Sequence, residues 1–163
     1  MYKNKIINLL KNKTDYNHIT FSGRANTLIW NLGVYLKKKF KKPKILIPSQ
    51  MCVSPAIIFK LLKIDVEYID ANYKTGLIDS RLIRSKIKKK NINCIFFVNL
   101  FGNTCRKEVF RFVQKKGIIV IQDLAQTFIS NKKKINENEL FGDIILLSFG
   151  YSKIFEIGQG SIM

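Results

Sequence analysis

The sequence predicts an α/β fold: a mainly parallel sheet in three layers, with helices on both faces. Three observations lead there. Short apolar runs, Ile45-Leu46-Ile47, Cys94 to Val98, Ile118 to Ile121 and Ile144 to Leu147, are continuous rather than alternating, as expected of strands buried on both faces. Segments with apolar residues at helical spacing stand between them. Pro and Gly mark the boundaries. With 163 residues and 47% apolar content, the chain is large enough for one domain with a real core.

Residues 1–20 form an N-terminal segment in which Lys3, Lys5, Lys11 and Lys13 surround Ile6, Ile7, Leu9 and Leu10. This is an amphipathic helix pattern, without the long apolar stretch or cleavage site of a leader peptide. Residues 21–163 form the domain itself. A helix begins near Arg24 and runs through Leu28, Trp30-Asn31-Leu32 and Leu36 to the lysines before Pro43. Ile45 to Ile47 read as a strand ending at Pro48, and Ala56 to Leu62 as a helix opened by Pro55 at its first turn. Val66 to Ile69 read as the next strand. After a turn at Thr75-Gly76, Asp79 caps a helix carrying Leu82, Ile83 and Ile87. The alternation then repeats: strand Cys94 to Val98, helix Lys107 to Lys115, strand Ile118 to Ile121. A polar, lysine-rich loop, Asn131 to Asn138, precedes the last apolar run.

Composition narrows the function classes. No apolar run approaches the ~20 residues needed to span a bilayer, so a cytoplasmic protein without a membrane span is expected. Cys52, Cys94 and Cys105 are odd in number and lack CxxC spacing, which argues against a disulfide framework or a zinc site. A net charge of +18 invites a nucleic-acid reading. The excess is mostly scattered lysine, however, without arginine clusters interleaved with exposed aromatics, so no nucleic-acid partner is expected. His18, the only histidine, lies in a polar segment, which disfavours histidine-based hydrolase and metal schemes.

In doubly wound sheets, ligands collect at the carboxyl ends of strands. Pro48-Ser49-Gln50, Asn99, Asp123 and Ser148 each directly follow an apolar run and should fall there. Lys153 follows in Ser148-Phe149-Gly150-Tyr151-Ser152-Lys153, thirty residues after Asp123-Leu124-Ala125-Gln126. An amine, a carboxylate and phosphate donors are what pyridoxal phosphate needs to anchor its aldehyde, protonate its ring nitrogen and hold its phosphate. Lys153 is the candidate anchor, Asp123 the candidate ring-nitrogen partner, and Gln126 could donate to the phenolic oxygen. Lys153 and Asp123 each have a plainer alternative: a surface lysine and a helix-capping Asp. Ser148 offers a hydroxyl to a phosphate oxygen, and Gly158-Gln159-Gly160 allows tight turns. Ser22-Gly23-Arg24-Ala25 precedes a helix, whose positive end is an anion site to which Arg24 could add charge.

Taken in order, these segments resemble the DegT/DnrJ/StrS family of pyridoxal-phosphate-dependent sugar aminotransferases, of the aspartate-aminotransferase fold type. The likeness runs from Phe21 to Met163 through Ser22-Gly23-Arg24-Ala25, Ile47-Pro48-Ser49, Asp70 with Thr75-Gly76-Leu77-Ile78-Asp79, Leu100-Phe101-Gly102, Asp123-Leu124-Ala125-Gln126, Gly142-Asp143, Ser148-Phe149 with Lys153, and Gly158-Gln159-Gly160. The resemblance implies that Lys153 anchors the cofactor and shuttles the substrate proton, that Asp123 faces the ring nitrogen and that Gln126 contacts the ring oxygen. It also implies a phosphate held by Ser148 and by the backbone of Arg24 and Ala25. Cys52 stands where family members commonly place an aromatic on the cofactor ring. Asn99 replaces a common histidine, Arg24 a common threonine, Gln122 a usual glutamate and Ser161 a usual glycine. Lys153 separates the chain from relatives that carry histidine there and dehydrate sugars. The implied reaction moves an amino group from glutamate to a nucleotide-linked keto-sugar, in a cytoplasmic homodimer, for surface polysaccharide or related sugars. Family members continue beyond the lysine, so the chain is expected to be a fragment: a truncated large domain, the C-terminal domain absent. Two other readings stay open, a catalytically inactive remnant that keeps the fold and phosphate site, and a basic nucleic-acid-binding module.

Overall fold

The computed structural model describes Asn8 and residues 16–100, 102–127, 140–151, 153 and 158–163. Apart from Asn8, the segment expected around Lys3 to Lys13 lies outside the described residues, as does the loop Asn131 to Asn138.

Strands β1 (Phe21–Ser22), β2 (Lys44–Pro48), β3 (Asp65–Ile69), β4 (Cys94–Leu100), β5 (Ile119–Gln126), β6 (Ile144–Ser148) and β7 (Ser161–Ile162) join in one sheet of order β1-β7-β6-β5-β4-β2-β3. From β3 to β6 all pairings are parallel, while β7 is antiparallel to β6 and β1 to β7. Helices α1 (Ala25–Lys39), α2 (Val53–Leu61), α3 (Ser80–Lys90) and α4 (Lys107–Gln114) connect the early strands.

Alternation along each strand builds two cores. Ile45, Ile47, Phe96, Ile121 and Leu146 point to one face and pack with Leu28, Leu32 and Leu36 of α1 and Phe59 of α2. Leu46, Ile95, Phe97 and Val120 point to the other and pack with Ile83 of α3 and Phe110 and Val113 of α4. The layers are therefore three, as the continuous apolar runs required. Gly33 lets α1 approach α2: a Cβ there would stand 2.4 Å from Leu62 Cδ1. Asp79 caps α3 as expected, accepting from Arg81 N at 3.0 Å.

Some boundaries differ from expectation. Helix α2 starts at Val53, so Pro55 lies inside its first turn, where a missing N–H costs nothing, and Cys52 becomes the N-cap. Strand β4 reaches Leu100 and β5 reaches Gln126, because each pairs with the other beyond its apolar run. Asn99 and Asp123 are thus residues within strands rather than just past them. Among the described residues, no helix is long and apolar enough to cross a membrane.

Candidate functional site

Asp123 pairs with Val98 on one side and Leu146 on the other, which sets its side chain on the α1/α2 face near the carboxyl end of the sheet. It is buried, and burial raises its carboxyl from an ordinary 3.8 to about 6. Two effects oppose the rise: the Ala125 N–H donates to Oδ1 at 2.8 Å, and the charge of Lys153 acts on the carboxylate. Lys153 is half-buried and also acts on Cys52. The Cys52 thiol is held below its ordinary range by side-chain and backbone hydrogen bonds with Ser54, helped by Lys153 and opposed by burial and by Asp123. Lys153, Asp123 and Cys52 therefore lie within one another's electrostatic reach.

Gln126 reaches the same face by an irregularity. Val98 pairs with Asp123 but Leu100 pairs with Gln126, so two steps on β4 oppose three on β5. That extra residue is a β-bulge, and it reverses the alternation that would have turned Gln126 away from Asp123. The Asp123 carboxylate and Thr127 close the bulge: Oδ1 takes the Ala125 N–H, Thr127 N donates to Leu124 O at 3.1 Å, and Thr127 Oγ1 donates to Asn99 O at 3.0 Å.

Ser148 ends β6, on the same face as Leu146 and about 8 Å from Asp123 by strand geometry. It pairs with Ser161, which pairs in turn with Ser22. Phe149 N donates to Gly160 O and Gly160 N to Gly23 O, both at 2.9 Å, so the start of α1 is tied to the end of β6. Gly158 and Gly160 make this turn at φ of 82 and 126. Arg24 is the N-cap of α1, its side chain exposed and not capping the helix. The N–H groups at the very start of the helix, at Ala25 and Asn26, are what this end offers an anion, since the Thr27 N–H donates to Arg24 O at 3.1 Å. At the end of β2, Gln50 Nε2 donates to Gly76 O at 2.6 Å and fastens that corner to the positive-φ turn.

Several residues singled out from sequence do structural work. Gln122 faces the α3/α4 side, where its Oε1 accepts from Phe141 N at 2.8 Å and Gly142 N at 3.1 Å. Asp143 takes the Val120 N–H at 2.8 Å and Gln114 Nε2 at 2.9 Å, pinning β6 to β5 and α4. Ser161 is buried and donates to Ser22 O. The bulge and Thr127 had no sequence signal except the polar run that follows Ile121. A cleft of about 780 Å³, lined by residues including Tyr16, His18, Asn31, Asp143 and Met163, contains none of the candidate residues.

This sheet order and helix placement define an α/β domain of the aminotransferase fold type. A solved GDP-4-keto-6-deoxymannose-3-dehydratase with a trapped PLP-glutamate geminal diamine matches with a TM-score of 0.83 at 18% identity, covering 100% of this chain and 44% of that one. A Helicobacter pylori aminotransferase involved in the biosynthesis of pseudoaminic acid matches with a TM-score of 0.79 at 16% identity, covering 95% and 42%. The chain belongs to the DegT/DnrJ/EryC1/StrS aminotransferase family, whose sequence profile matches residues 17–163. Among curated relatives, GDP-perosamine synthase of Escherichia coli is 23% identical over 165 aligned positions, 99% of this chain and 45% of that protein. The chain thus spans under half the length of this relative.

Proposed function

We propose that residues 21–163 carry the cofactor site of a pyridoxal-phosphate-dependent aminotransferase acting on nucleotide-linked keto-sugars, with glutamate as amino donor, and form part of its large domain. The observation that carries the reading is the mutual electrostatic reach of Lys153 and buried Asp123 at the carboxyl end of a parallel sheet. The residues present fit the cofactor. A buried carboxylate raised to about 6 is suited to a cationic partner, and a protonated pyridine nitrogen would return it to its charged form. The first turn of α1 and the Ser148 hydroxyl suit a phosphate.

When bound, the cofactor supplies an electron sink for the substrate carbon that loses its proton. Asp123 keeps the proton on the ring nitrogen. Gln126, turned to the same face, donates to the phenolic oxygen, and Arg24 and Ala25 hold the phosphate through their backbone. Lys153 would anchor the aldehyde and, with its ε-amine free, would take up the proton lost by the substrate carbon. Cys52 lies at the N-cap beside this group, where the family's usual aromatic would stack. The GDP-linked sugars named for two relatives support the substrate class, and the glutamate adduct trapped in one supports the donor. A homodimer and a cytoplasmic location belong to the same reading.

Borohydride reduction after cofactor titration tests it. A reducible adduct with a visible absorbance band is expected in the protein and absent in Lys153→Ala; an adduct that survives the substitution overturns the assignment. Cys52 in place of an aromatic favours a second reading, a remnant that binds cofactor without turnover. Amino transfer from glutamate to a panel of keto-sugar nucleotides separates the two, since a cofactor-loaded but inert protein supports the remnant.

A further inference from the structure

We propose that Thr127 is a positioning residue, whose hydroxyl and amide lock the β5 bulge that turns Gln126 onto the Asp123 face. The need for a lock follows from geometry. In a regular strand, residues three apart face opposite sides, so Asp123 and Gln126 could not serve one ligand. The pairs Val98 with Asp123 and Leu100 with Gln126 place the extra residue between them, at Leu124 and Ala125. A bulge in a parallel ladder is rare and leaves backbone groups without ladder partners.

Three such groups are given partners here. The Ala125 N–H goes to Asp123 Oδ1, the Leu124 carbonyl takes the Thr127 N–H, and the Asn99 carbonyl takes the Thr127 hydroxyl. Thr127 thereby bonds to β4 and to the bulge at once, on the residue next to Gln126. Asp123 has a second duty in the same device, because one of its oxygens closes the bulge while the carboxylate faces the site.

The role of Gln126 rests on the function proposed above, and the experiment separates the two. Its readout is the pH midpoint of the bound cofactor's absorbance in the intact protein, which a donor to the phenolic oxygen lowers. Gln126→Ala should raise that midpoint by about half a pH unit, roughly a threefold change, as expected for one lost hydrogen bond. Thr127→Val should raise it in the same direction and Thr127→Ser should restore it. The double variant Gln126→Ala with Thr127→Val should move no further than Gln126→Ala alone. Thr127→Val that lowers thermal stability but keeps the wild-type midpoint, or shifts that add in the double variant, would overturn the proposal. A wild-type midpoint in Gln126→Ala would do the same, because the bulge would then position nothing that acts on the cofactor. Hydrogen exchange of the unmodified, cofactor-free protein tests the lock independently of folding in the variants. Protected Ala125 and Thr127 amides are expected, and free exchange at both sinks the lock even if the cofactor reading stands. No reducible adduct in the wild-type protein sinks the cofactor reading and this role together.

Discussion

At Asp123, stability and chemistry pull in opposite directions. Above about pH 6 the folded protein holds a buried carboxylate that the unfolded chain would solvate, so the group lowers stability there. Below about pH 4 both states are protonated and the effect disappears. Asp123→Asn keeps an oxygen for the Ala125 N–H while removing the titration. Without cofactor, it should melt higher than wild type at about pH 8, by the equivalent of at most ~3 kcal/mol, and no higher at about pH 4. Thermal melts at the two pH values check this; an equal gain at both would trace the effect to something other than ionisation. Cys52 is the other informative position, since its exposed thiol stands at the N-cap of α2 beside Lys153 and Asp123. If the cofactor ring lies there, Cys52→Phe should tighten cofactor binding roughly threefold to tenfold through stacking. Fluorescence titration measures it, and an unchanged or weaker affinity would remove Cys52 from the site.

Elements show where local sequence suffices and where it does not. The apolar runs of β2, β4, β5 and β6 were legible because burial on both faces demands continuous hydrophobicity, and Asp79 was legible as a cap because its carboxylate has one obvious donor. The last turns of β4 and β5 were not. Their polar residues carry no strand signal, and only pairing across the ladder keeps Asn99 and Asp123 to Gln126 extended. Strand β1 was missed for the same reason: two residues, held by β7, which is distant in sequence. Of the candidate site, residue types at strand ends were readable, whereas the bulge that sets Gln126's direction was not. Gly142 shows how one element supports another. A Cβ there would meet Gln122 Cβ and Ile144 O, each at 2.8 Å, so the turn that registers β6 against β5 admits no side chain. Gly142→Ala should cost about 1–3 kcal/mol. Gly23→Ala, with nothing within 4 Å, should have little effect on stability. Urea unfolding of both variants tests the contrast, and equal losses would mean that the close approach is not what constrains the turn.

Over the whole molecule, charge is the feature that packing does not explain. Lys and Arg number 29 against 11 Asp and Glu, a net charge of +18. Some of the excess is well placed: Lys37, Lys38 and Lys39 end α1, and Lys88, Lys89 and Lys90 end α3, where the helix dipole favours cations. The described ion pairs, Lys86 and Lys90 with Glu67, Lys44 with Asp65, and Arg81 with buried Asp79, each keep at least one solvent-accessible side chain, and accessible pairs add little. Repulsion among unpaired lysines should therefore outweigh attraction, and the folded state, which holds them closest, should bear the larger penalty. Salt screens that repulsion. The melting temperature is expected to rise by a few degrees as sodium chloride increases from about 20 mM to about 150 mM, where the Debye length falls to about 8 Å, and then to level off. Levelling separates screening from a general salting-out effect, which would continue to grow with concentration. A melting temperature that falls over the same range would mean that the ion pairs dominate, and that the basic surface is better matched to its own acids than its composition implies.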